Sequence, residues 1–133
     1  MAKDEKYFGK SLEELQAMSI EEFSQVVGAR ARRSLRRGVD KKLLKKVEKA
    51  LAEKAKGKEP KPIRTQLRSA IIIPRMVGVR IAVHRGNTFE IVEISPKMLG
   101  HCLGEMAMTR KRLSHGKAGI GATKSSTAIT ARG

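Results

Sequence analysis

The side chains that could act as nucleophiles, general bases or metal ligands are few and scattered along this 133-residue chain. The candidates are His84, His101, Cys102 and His115. His101 and Cys102 are adjacent, but no second pair follows at the spacing of a zinc site. No residue pattern brings a nucleophile together with a base and a group that orients it. The sequence therefore predicts no enzyme activity, no metal, no cofactor and no small-molecule substrate.

Positive charge offers a different chemistry, the binding of a polyanion. The chain has 29 Lys and Arg against 13 Asp and Glu, a net charge of +16, and such an excess attracts nucleic acids or anionic membranes. The longest uninterrupted aliphatic run spans residues 70–73, far below the ~20 residues of a membrane-spanning helix. A nucleic acid is therefore the expected partner, and no membrane association is predicted.

The aromatic content indicates how a nucleic acid would be bound. Only Tyr7, Phe8, Phe23 and Phe89 are aromatic, too few for a surface that reads several unpaired bases by stacking. Arginine instead offers a planar pair of donors to phosphate, and lysine offers a point charge. We therefore expect contacts with phosphates and with the shape of a nucleic-acid helix.

The charge is distributed unevenly along the chain. Residues 1–27 hold 3 basic and 6 acidic side chains, a net −3, whereas residues 28–61 hold 14 and 4, a net +10. Residues 106–133 hold 6 and 0, a net +6. This asymmetry indicates surfaces with different roles. We predict an acidic helical N-terminal extension over residues 1–29, a nucleic-acid-binding core domain over residues 30–112, and an extended, basic, Gly-rich C-terminal tail over residues 113–133.

Local chemistry predicts where the helices begin. Ser11 with Glu14, and Ser19 with Glu22, match the capping box, in which a hydroxyl and a carboxylate satisfy each other's backbone N–H groups. The second box opens a helix expected to run over residues 20–37. A further helix is expected over residues 41–56 with Asp40 as its N-cap. Gly and Pro residues between 57 and 62 end that helix and mark a linker.

The following segment alternates apolar and polar residues from 77 to 84, the period of a half-buried strand. Residues 85–87 predict a hairpin turn into a second strand ending near 94, and residues 71–73 are a candidate edge strand. Residues 96–99 predict a short helix that begins at a proline. The predicted fold class is α+β, with N-terminal helices, a small antiparallel sheet, a short C-terminal helix and the extended basic tail. The expected core residues here are Val79, Ile81, Val83, Phe89, Ile91, Ile94, Met98, Leu99 and Leu103.

Six short motifs narrow the class of nucleic-acid binder. In chain order they are RSLRRG at 33–38, KPIRTQLR at 61–68, IPRMVG at 73–78, IAVHRG at 81–86, GHCLGE at 100–105 and TR at 109–110. This ordered series resembles the universal small-subunit ribosomal protein family S nineteen, called S fifteen in eukaryotes. The resemblance covers about residues 30–126. The acidic extension and the segment GIGATKSS at 119–126 are similar to the archaeal and eukaryotic branch.

The resemblance implies a structural protein in the head of the small ribosomal subunit. It implies a small α+β fold, binding to the 3′ major domain of the small-subunit rRNA, a role in head assembly and a neighbour from the S thirteen family. The tail would approach the decoding site and tRNA through Lys124, Ser125 and Ser126. The rRNA-binding residues carried over are Arg33, Arg36, Arg37, Lys61, Arg64, Thr65, Arg68, His84, Arg85, His101, Thr109, Arg110, His115 and Gly116.

Composition alone leaves a second class open, a regulatory or architectural nucleic-acid binder that works outside the ribosome. The order of the motifs favours the ribosomal interpretation. The N-terminal residues lack the basic start and apolar stretch of a secretory signal, and a single cysteine fits a reducing compartment. We therefore expect a cytoplasmic protein.

Overall fold

The computed structural model describes residues 6–112 together with residues 114 and 119. Within these residues the α-helices are α1 (Leu12–Ala17), α2 (Ile20–Val26), α3 (Ala29–Arg36), α4 (Lys41–Ala55) and α5 (Leu103–Met106). The strands are β1 (Ile63–Thr65), β2 (Arg80–His84) and β3 (Phe89–Glu93). Short 3-10 helices cover Pro74–Met76 and Pro96–Met98. The predicted α+β class is confirmed, and the predicted tail lies almost entirely outside the described residues.

Both predicted capping boxes are formed. The Ser19 Oγ accepts a hydrogen bond from the Glu22 N–H at 3.2 Å, and the Glu22 carboxylate accepts one from the Ser19 N–H at 2.9 Å. Ser11 and Glu14 make the same pair of bonds at the start of α1. The hydrogen bond from the Ser19 backbone N–H stabilises the carboxylate of Glu22 and lowers its pKa from the ordinary value of 4.5. The hydrogen bond with the Ser19 side chain lowers this pKa further, by a smaller amount. The carboxylate of Glu22 therefore supports α2 above the ordinary carboxyl pKa, and this support is lost as the pH falls through the lowered value.

Replacing Ser19 by alanine is expected to lower the free energy of unfolding by about 1 kcal/mol, the usual effect of losing an N-cap hydroxyl. Ser19→Asp restores an oxygen acceptor at the same position and should recover most of the loss. Urea denaturation of the full chain measures both variants. Equal stability of Ser19→Ala and the parent protein would contradict this account of the start of α2.

The helix predicted over residues 20–37 is two helices, α2 and α3. Val27 is extended at φ −79° and ψ 163°, and Gly28 is the N-cap of α3. The break leaves carbonyl groups at the end of α2 without helical partners. Arg32 supplies the missing donors, because its guanidinium donates to the carbonyl oxygens of Ser24, Gln25 and Val27 at 3.0–3.3 Å. The prediction of one helix is wrong, since the backbone at Val27 and Gly28 is not helical and a side chain of α3 stabilises the break.

The sheet has the order β1-β2-β3, and it is mixed. β2 and β3 are antiparallel, as predicted, but β1 runs parallel to β2, so the expectation of a purely antiparallel sheet is wrong. The sequence did not predict β1, which is only three residues long. The candidate edge strand at 71–73 forms only an isolated bridge between Ile71 and Cys102. The predicted helix at 96–99 is a 3-10 turn.

The hairpin register differs from the expected one by a single residue. The Arg85 N–H donates to the Thr88 carbonyl at 2.9 Å, so the turn is centred on Gly86, at φ +112°, and Asn87. A three-residue turn would have placed Phe89 on the core face, but the observed ladder pairs it with His84. A shift of one residue moves every side chain of a strand to the other face. The prediction that Phe89 and Ile91 are core residues is therefore wrong, and the Ile91 side chain is 60% exposed.

The core lies between the helices and the inner face of the sheet. Leu15 of α1 and Phe23 of α2 are each 1% exposed and belong to the same apolar cluster as Ile81 and Val83 of β2. The acidic N-terminal segment therefore packs into the same core as the sheet. Gly100, at φ +81°, allows this close packing, since a Cβ there would lie 3.3 Å from Val27. The remaining expected core positions are buried or partly buried against this cluster, namely Val79, Ile94, Met98, Leu99 and Leu103.

Candidate nucleic-acid interface

One face of α3 carries a row of exposed arginines. We call it the arginine ridge, and its members are Arg30, Arg33, Arg36 and Arg37. At about 100° of rotation per residue, these four positions occupy an arc of about 120°. Buried Ala31 and Leu35 lie on the opposite side of the helix. The core thus fixes the helix while the four guanidinium groups face solvent.

The arginine ridge has no carboxylate partner within residues 6–112. The ion pairs of this part of the chain involve Arg80, Arg85 and His101 instead. An unpaired, exposed guanidinium keeps its planar pair of N–H donors free for a phosphate. The ridge includes the predicted residues Arg33, Arg36 and Arg37, and the structure places all three on one surface.

A second basic surface is an open groove of about 630 Å³ between α4 and the segment that leads into β1. Its lining contains the predicted residues Lys61 and Arg64 together with Lys46, Lys49 and Lys58. Glu53 and Glu59 also line it, so the groove holds five cations and two carboxylates. By residue type alone, the lysines of α4 fit a solvated face and a binding face equally well. Their position beside Lys61 favours the binding face.

Arg64 lies on the outer face of the sheet. Its guanidinium carbon is 4.6 Å from the centre of the Phe89 ring, a cation–π contact. The ring of His84 meets the same Phe89 edge-on, with 4.9 Å between the ring centres. These three residues come from β1, β2 and β3, and we call them the outer-face cluster. Phe89 was missed as a site residue because the expected register placed it in the core.

Arg68 has an internal role. Its guanidinium donates to the carbonyl oxygens of His84 at 2.6 Å, Gly104 at 2.7 Å and Ala107 at 2.6 Å. The side chain is half-buried and joins the loop after β1 to the end of β2 and to α5. Three of its five N–H donors are therefore committed to the protein backbone. Arg68 fixes the direction in which the chain leaves α5 towards Arg110.

Gly104 is part of the same arrangement. Its N–H donates to the Arg68 carbonyl at 2.8 Å. A Cβ at position 104 would lie 3.0 Å from both the Arg68 Cβ and the Arg68 carbonyl oxygen, closer than side chains pack. The glycine is therefore required by the close approach of α5 to Arg68.

Three other predicted residues also have partners within the protein. Thr65 is only 8% exposed, and its hydroxyl accepts from the Leu67 N–H at 3.1 Å. Arg85 lies 3.6 Å from the Glu90 carboxylate. The His101 Nδ1 is 2.7 Å from the Glu105 carboxylate, with both side chains exposed. Thr65 supports the turn after β1, while Arg85 and His101 remain at the surface.

The end of the described chain continues the basic surface. Thr109 and Arg110 follow α5 and are exposed. The other predicted residues of the tail, namely His115, Gly116, Lys124, Ser125 and Ser126, lie outside the described residues.

Over residues 6–112, His, Cys, Asp and Glu side chains form no group of three that could hold a metal ion. In the part of the chain that the structure describes, no helix is long and apolar enough to cross a membrane.

The fold and its charged surface define a small basic α+β domain suited to the phosphates of a nucleic acid. The family model of ribosomal protein S19 matches residues 30–115. Over 120 residues the chain is 45% identical to the small ribosomal subunit protein uS19 of Halorubrum lacusprofundi, covering 90% of this chain and 85% of the relative. The chain therefore belongs to the ribosomal protein S19 family. The resemblance drawn from the six motifs is confirmed.

Proposed function

We propose that this ribosomal protein is a structural constituent of the small subunit that binds the 3′ major domain of its rRNA and contributes to assembly of the head. The observation that carries the proposal is the arginine ridge, whose four guanidinium groups are exposed and lack carboxylate partners within residues 6–112. The match to the S19 family supports the ribosomal setting.

The predicted rRNA-binding residues divide in this proposal into those that contact the RNA and those that support the fold. The arginine ridge and the lysines of the groove beside Lys61 contact phosphates, which position the protein without reading sequence. Arg68 and Thr65 hold these surfaces in place through bonds within the protein, and their neighbours contact the RNA. Arg85, His101, Thr109 and Arg110 extend the contact along the surface, and His115 and Gly116 continue it into the tail.

The proposal also gives each part of the chain a place in the subunit. Residues 30–112 form the rRNA-binding core, residues 1–29 an acidic helical extension, and residues 113–133 a basic tail. The tail approaches the decoding site and tRNA through Lys124, Ser125 and Ser126, and a protein of the S thirteen family lies beside the core. The role is non-enzymatic and belongs to ribosomes of the cytoplasm.

Sucrose-gradient fractionation of a native lysate tests the ribosomal role. We expect the protein to migrate with small subunits in stoichiometric amount. High salt should release it, because exposed phosphate contacts weaken as salt is added. A dominant free pool that binds DNA would contradict the proposal and support a regulatory or architectural binder.

A further inference from the structure

The outer face of the sheet carries planar and apolar groups where a solvated sheet face would carry polar ones. Arg64, His84 and Phe89 form the outer-face cluster, and Ile91 is the next outer-face position along β3. The Ile91 side chain is 60% exposed, whereas Ala82 between Arg64 and Ile91 is 2% exposed. The larger neighbours therefore cover the alanine and form a continuous surface above it.

The cluster holds the Arg64 guanidinium on the Phe89 ring. The guanidinium carbon lies 4.6 Å from the ring centre, and the edge-on His84 ring supports the same phenylalanine. Arg64 is exposed, and within residues 6–112 its side chain forms no hydrogen bond or ion pair. One planar side of the guanidinium therefore rests on Phe89, and its other side is available to a ligand.

The surroundings favour a planar ligand over a phosphate. A phosphate requires donors alone, and the arginine ridge offers them with no aromatic ring against its guanidinium groups within residues 6–112. At the outer face, by contrast, carboxylates lie beside the cation Arg80, which makes this face less suited to a phosphate. The Arg80 guanidinium is 3.6 Å from the Glu59 carboxylate, and Glu93 is the partner of Arg80 in the strand ladder. Exposed Ile91 lies two residues from Phe89, about 7 Å along the strand. A planar cation beside an exposed aliphatic side chain matches the face of a nucleobase, which stacks on arginine and on apolar groups.

We propose that the outer-face cluster and Ile91 form a stacking site for one unpaired nucleobase of RNA. The base lies on the exposed side of the Arg64 guanidinium, with its edge or its ribose against Ile91. The site rests on the proposed rRNA binding and adds to it a contact with a single base in place of a phosphate.

Two matched substitutions in the full chain test this site. Arg64→Lys keeps the charge but removes the planar group from the outer-face cluster, whereas Arg36→Lys makes the same change on the arginine ridge. Filter binding to a transcript of the 3′ major domain measures both. We expect Arg64→Lys to weaken binding about tenfold, within the range for loss of one stacked base. Arg36→Lys should weaken it less, by no more than about twofold, since the free energy of a phosphate contact depends mainly on the charge, which lysine keeps.

Ultraviolet crosslinking at zero distance gives an independent readout. We expect a base crosslinked to the peptide over residues 86–97, which contains Ile91. Phe89→Leu removes the ring that holds the Arg64 guanidinium and should strongly reduce that product while circular dichroism shows an intact fold. Equal effects of Arg64→Lys and Arg36→Lys, with no crosslink in the peptide over residues 86–97, would overturn the stacking site. Failure of the parent protein to bind the transcript at all would instead overturn the proposed function.

Discussion

Arg68→Ala is expected to lower the free energy of unfolding by about 3 kcal/mol, because three hydrogen bonds from a charged group are lost together. The carbonyl oxygens of His84, Gly104 and Ala107 would lose the donors that now lie 2.6–2.7 Å away. Ala107 is fully buried, so water does not readily replace the guanidinium there. Urea denaturation of the full chain measures the loss.

Arg33→Ala is the matched control for Arg68→Ala. Arg33 is an exposed arginine of the arginine ridge, so its replacement should change stability by no more than about 0.5 kcal/mol. RNA binding separates the two roles further, because the salt dependence of affinity reports the number of phosphate contacts. Arg68→Ala with unchanged stability and a shallower salt dependence would show that Arg68 contacts phosphate and does not support the fold.

The triple variant Arg33→Gln, Arg36→Gln, Arg37→Gln is expected to have the largest effect on RNA binding. Each lost phosphate contact reduces the slope of log affinity against log salt by about 0.7 to 0.9, so the triple variant should lose about 2 to 3 from the slope. Glutamine has a helix propensity close to that of arginine, so α3 should remain folded. Filter binding over a series of salt concentrations measures the slope.

Arg36→Gln and Arg75→Gln form a matched pair for this experiment. Arg75 is also exposed, but it lies in the 3-10 helix that packs against α1 in the acidic N-terminal region. We expect Arg36→Gln to reduce the slope by about 0.7 to 0.9 and Arg75→Gln to leave it unchanged. If both substitutions reduced the slope equally, the binding would depend on overall charge and the arginine ridge would have no special role.

The parts of this fold that local chemistry determines were predictable from the sequence. The capping boxes at Ser11 and Ser19 depend on residues three positions apart. The N-cap of α4 at Asp40 likewise involves only the first turn of its own helix. The arginine ridge was predictable for the same reason, since helical spacing alone places its members on one side of α3.

The sheet was only partly predictable, because its arrangement depends on pairing between segments. A turn centred on Gly86 and Asn87 moved Phe89 and Ile91 to the outer face. The Gly-Asn pair, which is typical of a two-residue turn, is the local signal that the expected three-residue turn overlooked. β1 consists of three residues and acquires its identity from the parallel pairing with β2. The outer-face cluster could therefore be recognised only once the pairing register of β1, β2 and β3 was known.

Arg68 shows the same limit for the candidate site. By residue type it is equivalent to Arg64, and both lie in the same motif. Its acceptors come from residues 16, 36 and 39 positions away, so their proximity is a property of the folded chain. Sequence reasoning can identify an arginine suited to phosphate, but it cannot tell whether backbone carbonyls already occupy its donors.

Binding of the parent protein to two separate transcripts of the small-subunit rRNA, the 3′ major domain and the 5′ domain, tests the central claim most directly. We predict preferential binding to the 3′ major domain, with affinity falling by about 10³ to 10⁵ between about 50 and 200 mM salt, as for 6 to 10 phosphate contacts. Equal affinity for the two transcripts, or an affinity that barely changes with salt, would contradict the claim that the arginine ridge anchors this protein on the rRNA of the head.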